Sequence, residues 1–414
     1  MKQVALARRA ARLSPTMPAS SHDDHAIPFD SGHGFPSLFP DLTAAAEKAL
    51  TTYRHETLQY GLRPGLPELR KWIADAMNAD GNDVAIEEIF VTNGAKQGIE
   101  LACRLLLDDG DPIVVTAPTY FTSIPIFRSF DVDFIEVGQD NEGLDTVALA
   151  ATLEALKRDG RKMPKFIYNV PDFHNPTGVT MSRARREALL ELASRHGIYV
   201  VEDSPYRSVR FDGTPEPSLK ALDRSGNVIH LGTFSKLIAP GLRIGWVAGS
   251  PDLVARMIQL KADGGSSPLV QRIIVEWCNA GNLAAHTEAV QRTYRLHRDH
   301  MVAALRRDLP EVSFMVPQGG YYLWLTLPRD IDADELAKRA AEAGVTVLAG
   351  SKFYAQANRG SDVAPKTHMR LAYTHSSPEQ IDEGIRRLAA AMRRCRGSAP
   401  DASTERAAAD PTVA

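Results

Sequence analysis

Four short apolar runs recur in the first two-thirds of the chain: 89–92 (Ile-Phe-Val-Thr), 166–168 (Phe-Ile-Tyr), 198–201 (Ile-Tyr-Val-Val) and 228–231 (Val-Ile-His-Leu). Each is too short for a helix, rich in β-branched and aromatic residues, and stops at polar ones. That pattern marks strands buried on both faces, the habit of parallel sheets. Between such runs the spacing changes to helical. One helix is predicted from 93 to about 107, and another over 182–196, opened by Ser182 and stopped at Gly197. The alternation predicts an α/β large domain over about 46–282, with a mixed, mostly parallel sheet wrapped by helices. From about 283 a long polar–apolar helix runs through Leu305, and a strand is predicted at 319–325. These make a smaller α+β domain over 283–396, joined by the N-terminal segment 1–45. Residues 397–414 are small, polar and interrupted by proline, so a disordered tail is expected.

Composition narrows the function classes. A chain of 414 residues can bury a large core, and 44% hydrophobic with 24% charged residues is the balance of a soluble globular protein. A net charge of -3 offers no electrostatic case for nucleic acid or a membrane surface. Cys103, Cys278 and Cys395 have neither metal-ligand nor paired spacing, so no metal is expected and a reducing cytoplasm fits. No apolar run approaches the length of a membrane span.

The chemistry gathers just after the predicted strands, where open α/β sheets bind ligands. Residues 169–178 read Asn-Val-Pro-Asp-Phe-His-Asn-Pro-Thr-Gly, and 202–206 read Glu-Asp-Ser-Pro-Tyr. Residues 232–243 read Gly-Thr-Phe-Ser-Lys-Leu-Ile-Ala-Pro-Gly-Leu-Arg, placing Lys236 after two hydroxyls and seven residues before Arg243. That run offers an amine able to condense with a carbonyl, with phosphate ligands close by in sequence. The turn Asn93-Gly94 opening a helix is a second anion site, because helix N-terminal amides point outward.

These segments, in this order, resemble the fold type I pyridoxal-phosphate-dependent aminotransferases (class I/II, the aspartate-aminotransferase fold). The similarity runs from about 25 to 395 and is strongest to the 2-aminoadipate, kynurenine and aromatic aminotransferase branch. The resemblance implies pyridoxal 5'-phosphate as cofactor, carried as an imine on Lys236, which also shuttles the proton. It implies Asp203 on the pyridine nitrogen, Asn175 and Tyr206 on the ring's phenolic oxygen, and Tyr120 on the ring face. The phosphate would be held by Gly94, Ala95, Lys96, Thr233, Ser235 and Arg243. Relatives usually carry Gln where Lys96 stands, and the amide is kept either way.

Arg370, in 369–373, matches the arginine for the substrate α-carboxylate, for which a guanidinium fork is suited. Gly34, in the substrate-covering segment 29–36, and Asn175 are further implied substrate contacts. Tyr60 matches the tyrosine that reaches the neighbouring site of a homodimer. Tyr321 and Tyr322 stand where relatives commonly have Met or Phe, hinting at a more polar wall.

The basic, helix-prone residues 2–14 match a short amphipathic helix packed on the small domain, though a transit peptide would look similar. The implied reaction moves an amino group from an L-amino acid to a 2-oxo acid in ping-pong fashion. Decarboxylation, β-elimination or amino-acid oxidation on the same fold stays open at this level. A regulator fused to a DNA-binding domain would need roughly 60 or more residues ahead of the fold. Fewer than 29 precede the segment at 29–36.

Overall fold

The structure, a computed structural model, describes residues 7, 10, 26–356 and 366–397. Apart from positions 7 and 10, the helix expected over 2–14 lies outside them, as does the tail beyond 397.

Eight strands form the large sheet, in the order Ile89–Thr92, Gly245–Ala248, Val228–Thr233, Tyr199–Asp203, Phe166–Asn169, Pro112–Ala117, Asp133–Asp140 and Gly143–Leu144. The central pairings from Val228–Thr233 to Asp133–Asp140 are parallel. Gly245–Ala248 runs antiparallel between its two neighbours, and Gly143–Leu144 antiparallel at the far edge. The four apolar runs are buried almost throughout, which explains why they lack an alternating pattern. Flanking helices include Ala95–Leu106 and Arg183–His196. The second is capped by the Ser182 hydroxyl at 3.4 Å from the Arg185 amide, and stopped by Gly197 at φ 64°.

A second, antiparallel sheet carries Ser313–Phe314, Tyr322–Thr326, His368–Ala372 and Leu348–Ala349. The helices Asn282–Asp308 and Pro378–Gly397 pack against each other beside it. The strand expected over 319–325 begins later, at Tyr322. Gly320 sits at φ 77°, and a Cβ on Gly319 would lie 2.3 Å from the Val209 carbonyl oxygen. Both glycines serve a close crossing past Phe173 and Val209 instead of a ladder.

The N-terminal segment belongs to this second sheet's side. Ile27–Pro28 pairs in parallel with Val345–Thr346, and the Ala372 amide donates to the Phe29 carbonyl at 2.7 Å. From there the segment 29–36 crosses towards the carboxyl ends of the large sheet. Among the described residues, no helix is long and apolar enough to cross a membrane.

Candidate active site

The loops that leave the carboxyl ends of the parallel strands enclose a cavity of about 380 Å³. Ala95, Lys96, Tyr120, Asn175, Asp203, Tyr206, Thr233, Ser235, Lys236 and Arg243 all line it. Most of the residues singled out from the sequence therefore meet in one place, although they span nearly 150 positions. The reason is topological: parallel strands deliver each loop to the same edge.

One end of the cavity is built for an anion. The helix Ala95–Leu106 begins there, preceded by Gly94 at φ 85°. A Cβ on Gly245 would lie 2.9 Å from the Ala95 nitrogen, so only glycine lets the neighbouring strand abut that helix start. Thr233 and Ser235 add hydroxyls 3.0 Å apart. The Arg243 guanidinium donates to the Asn93 carbonyl at 3.3 Å, and a Cβ on Gly94 would lie 2.9 Å from it. Lys96 adds a further amine, held below the usual lysine range by burial and by the charges of Arg243 and Lys236.

Asp203 lines the same cavity. Its Oδ2 accepts from the Tyr168 hydroxyl at 2.6 Å, while Oδ1 is buried without a hydrogen-bond partner. Burial pushes its pKa up to about 6, against the pull of Tyr168, His230 and Lys96. A buried carboxylate oxygen left open costs free energy unless a donor meets it. A protonated ring nitrogen is such a donor.

The Lys236 amine also lines the cavity and donates to the Gly32 carbonyl at 2.8 Å. Burial lowers its pKa, and the charges of Arg370 and Arg243 act in the same direction, with Tyr322 opposing them. Tyr206 donates to the Tyr322 hydroxyl at 3.3 Å. Asn175 accepts from Arg370 at 3.0 Å through Oδ1.

Arg370 lies behind Asn175 and not on the cavity wall itself. It is 1% exposed, and its partners are the Asn175 amide, the Asp30 carbonyl and the Tyr322 ring at 4.1 Å. Its Nε has no partner, and no ion pair to a carboxylate is found for it among the described residues. Buried guanidinium groups are rarely left without an anion.

Gly34 is buried in the covering segment, where its carbonyl accepts from His375 at 3.1 Å. That segment is stitched down by Lys236, Arg370, Thr374 and His375 through the carbonyls of Gly32, Asp30, His33 and Gly34 in turn. Tyr60 is 91% exposed and does not line the cavity.

Three residues at or beside the site were given no definite role from the sequence. Tyr168 supports Asp203 from the middle of a predicted strand, where a core tyrosine is the ordinary expectation. His33 lines the cavity. The Tyr322 hydroxyl stands where a Cβ on Gly32 would be, 2.2 Å away, and faces Tyr206. Only the polarity of Tyr322 was visible in advance.

Amides and hydroxyls with a guanidinium, an open carboxylate oxygen and a lysine, all lining one cavity, fit a phosphorylated pyridine aldehyde. Comparison with known proteins gives the same answer. Residues 27–388 match the family described as aminotransferase class I and II. Aromatic-amino-acid aminotransferase 1 of Thermococcus litoralis is 35% identical over 93% of this chain and 92% of its own length. The crystal structure of a multiple substrate aminotransferase from Thermococcus profundus superposes with a TM-score of 0.87 at 35% identity, covering 95% of this chain and 98% of that one. The alpha-aminoadipate aminotransferase of Thermus thermophilus, solved with N-(5'-phosphopyridoxyl)-L-leucine, has a TM-score of 0.82 at 33% identity, covering 90% and 93%. With the family matched over 27–388 and a cavity whose donors suit its cofactor, the chain belongs to the class I and II aminotransferases, enzymes that use pyridoxal 5'-phosphate to move an amino group from an amino acid to a 2-oxo acid.

Proposed function

We propose that this aminotransferase works through Lys236, Asp203 and Tyr206, with Arg370 taking the α-carboxylate of an L-amino acid. The observation that carries this reading is the convergence of Lys236, Asp203 and the Ala95 helix start on one cavity. Bound there, the cofactor supplies a carbonyl for an amine and an electron-withdrawing ring. Ala95 and Lys96 amides, Thr233, Ser235 and Arg243 would hold its phosphate, and Gly94 gives them room. Asp203 would accept from the ring nitrogen and keep that nitrogen protonated. Asn175 and Tyr206 would donate to the phenolic oxygen, while Tyr120 covers the ring face.

Lys236 is suited to moving a proton at Nζ, because burial favours its neutral form. Arg370 would orient the substrate by a two-point grip on its carboxylate, with Asn175 and the covering segment at Gly34 beside it. Donor substrate should change the visible absorbance of the cofactor-loaded enzyme, and a 2-oxo acid should restore it in a separate step. Release of carbon dioxide, or of ammonia without an acceptor, would rule this reaction out.

Arg370→Ala is expected to lower kcat/KM for amino acids by roughly 100-fold, mostly through KM, since a charge-assisted pair is lost. Arg370→Lys should recover only part of that, because an ammonium lacks the fork. Steady-state kinetics with both variants checks it, and an unchanged KM would remove Arg370 from substrate binding.

A homodimer is the assembly we propose, with Tyr60 reaching the neighbouring site. Tyr60 is 91% exposed, and Leu58, Leu62 and Leu50 near it are 62%, 59% and 43% exposed. Apolar side chains grouped in this way mark surfaces that associate. Mixing Lys236→Ala chains with Tyr60→Phe chains should restore activity, because one site of each hybrid then has both wild-type groups. No recovery after confirmed subunit exchange would place Tyr60 in its own chain's service.

The division at about 45 and 282 into a joining segment, a large domain and a small domain is supported by the separation of the eight-stranded sheet from the four-stranded one. A reducing cytoplasm is the location that the three free cysteines support.

A further inference from the structure

A second cavity of about 400 Å³ adjoins the first, and Pro205 and Thr233 line both. Its walls include Trp72, Ser204, Arg207, Arg210, Trp246 and Gln291. None of the roles assigned above uses it.

The cavity has an apolar side and a cationic side. The ring of Phe234 lies 5.7 Å from Trp72 and 5.2 Å from Trp246, so three aromatic rings form one surface. On the cationic side, Asp172 is fully buried and paired with Arg186 at 2.8 Å and Arg207 at 3.1 Å. Arg207 also engages Asp80. Arg210 comes last, with its Nη2 3.8 Å from Asp172, beyond hydrogen-bond distance. Glu202 and Glu216 also act on these guanidiniums, so Arg210 is short of hydrogen-bond acceptors and not of negative charge. The Nε and Nη2 of Arg210, the Trp246 indole N–H and the Ser204 hydroxyl are all buried without a hydrogen-bond partner. Ser204 is 8% exposed.

Unsatisfied buried donors, two of them on one guanidinium, call for an acceptor, and a carboxylate matches the guanidinium fork. The aromatic surface calls for a flat apolar body, and the volume is that of a small-molecule site. Asp172 and Asp80 are engaged by arginines and Glu202 by His230, so none of these three carboxylates is open to an ammonium. A free amino acid therefore fits less well than a simple aryl carboxylate or an aryl 2-oxo acid.

We propose that this cavity is a second, non-catalytic binding site for a small aryl carboxylate. Its carboxylate meets Arg210, Ser204 and Trp246, and its ring lies against the aromatic surface of Trp72 and Trp246. Ser204 and Pro205 directly follow Asp203, and Phe234 is two residues before Lys236. A ligand here therefore rests on the backbone that fixes both active-site groups, and its occupancy should alter turnover without competing for the substrate position.

The test is calorimetric titration of the cofactor-loaded enzyme with 3-phenylpropionate, which has no amino or oxo group and cannot turn over. Arg370→Ala removes the carboxylate grip proposed for the active site, so this variant should keep one binding event, at the second cavity. Adding Arg210→Met should weaken that event by roughly 10- to 100-fold, the effect of losing a charge-assisted bond. Thr287→Trp, which fills the cavity from the long helix, should abolish it while leaving the fold in place. Absence of binding to Arg370→Ala, or equal binding after Arg210→Met, overturns the proposal. If Arg210→Met fails to fold, Thr287→Trp decides, and retained binding there is equally fatal to it.

Discussion

Lys236→Ala is expected to lower turnover by roughly four orders of magnitude or more, since on the proposed roles one change removes both the amine that meets the carbonyl and the proton carrier. The cofactor should still bind, more weakly, because Asp203, Arg243 and the Ala95 helix start are untouched. Borohydride treatment of the wild-type, cofactor-loaded protein should fix the cofactor's mass to the peptide that contains Lys236. Mass spectrometry placing it on Lys96, which lines the same cavity, would overturn the assignment. A second effect follows from the geometry. The Lys236 amine ties down the Gly32 carbonyl at 2.8 Å, so the alanine variant should loosen segment 29–36. Faster amide exchange confined to that segment is the expected signature.

Asp203→Asn should cost about 30- to 1000-fold in kcat, equivalent to roughly 2–4 kcal/mol of a buried, charge-assisted hydrogen bond. The amide oxygen can keep accepting from Tyr168, whose hydroxyl now meets Oδ2 at 2.6 Å. The amide nitrogen then takes the place of the open Oδ1 and presents a donor where an acceptor is needed. On the proposed role of Asp203, a pyridine nitrogen bound there would no longer be kept protonated, and the ring would withdraw electrons less strongly. Loss of less than threefold would reduce Asp203 to a structural role.

The same substitution should have the opposite effect on the stability of protein stripped of cofactor. Burial raises the Asp203 pKa from 3.8 to about 6, and each tenfold change in proton affinity is worth about 1.4 kcal/mol. A carboxyl whose folded pKa is raised contributes stability below its unfolded pKa and loses it as pH rises through the folded value. The stripped wild-type protein should therefore weaken between about pH 4 and 6, by an amount on the order of 3 kcal/mol. The Asp203→Asn variant has no such titration. Urea midpoints measured at pH 4 and pH 8 check this, and equal pH dependence in the two proteins would show that Asp203 is not strained by burial.

How far the sequence spoke depended on the range of each interaction. The four apolar runs at 89–92, 166–168, 198–201 and 228–231 announced strands because burial on both faces is written into consecutive residues. Ser182 and Gly197 bounded a helix for an equally local reason, and the residues after each strand end singled out Asn175, Asp203 and Lys236, which the fold brings to one cavity. Glycines 319 and 320 misled, since an apolar aromatic stretch follows them and the crossing past Val209 and Phe173 is set by packing. The support of Asp203 by Tyr168, the hold of Lys236 on Gly32 and the burial of Arg370 against Asn175 join residues 35, 204 and 195 positions apart. The second cavity likewise draws on positions from Trp72 to Gln291. Periodicity and capping are properties of a few neighbouring residues, so the sequence determined the elements, their order and the chemistry at their ends. Which side chains face one another, which oxygen of Asp203 stays open and where an arginine lacks a partner depend on how two sheets and the covering segment pack, and only the tertiary structure decided them.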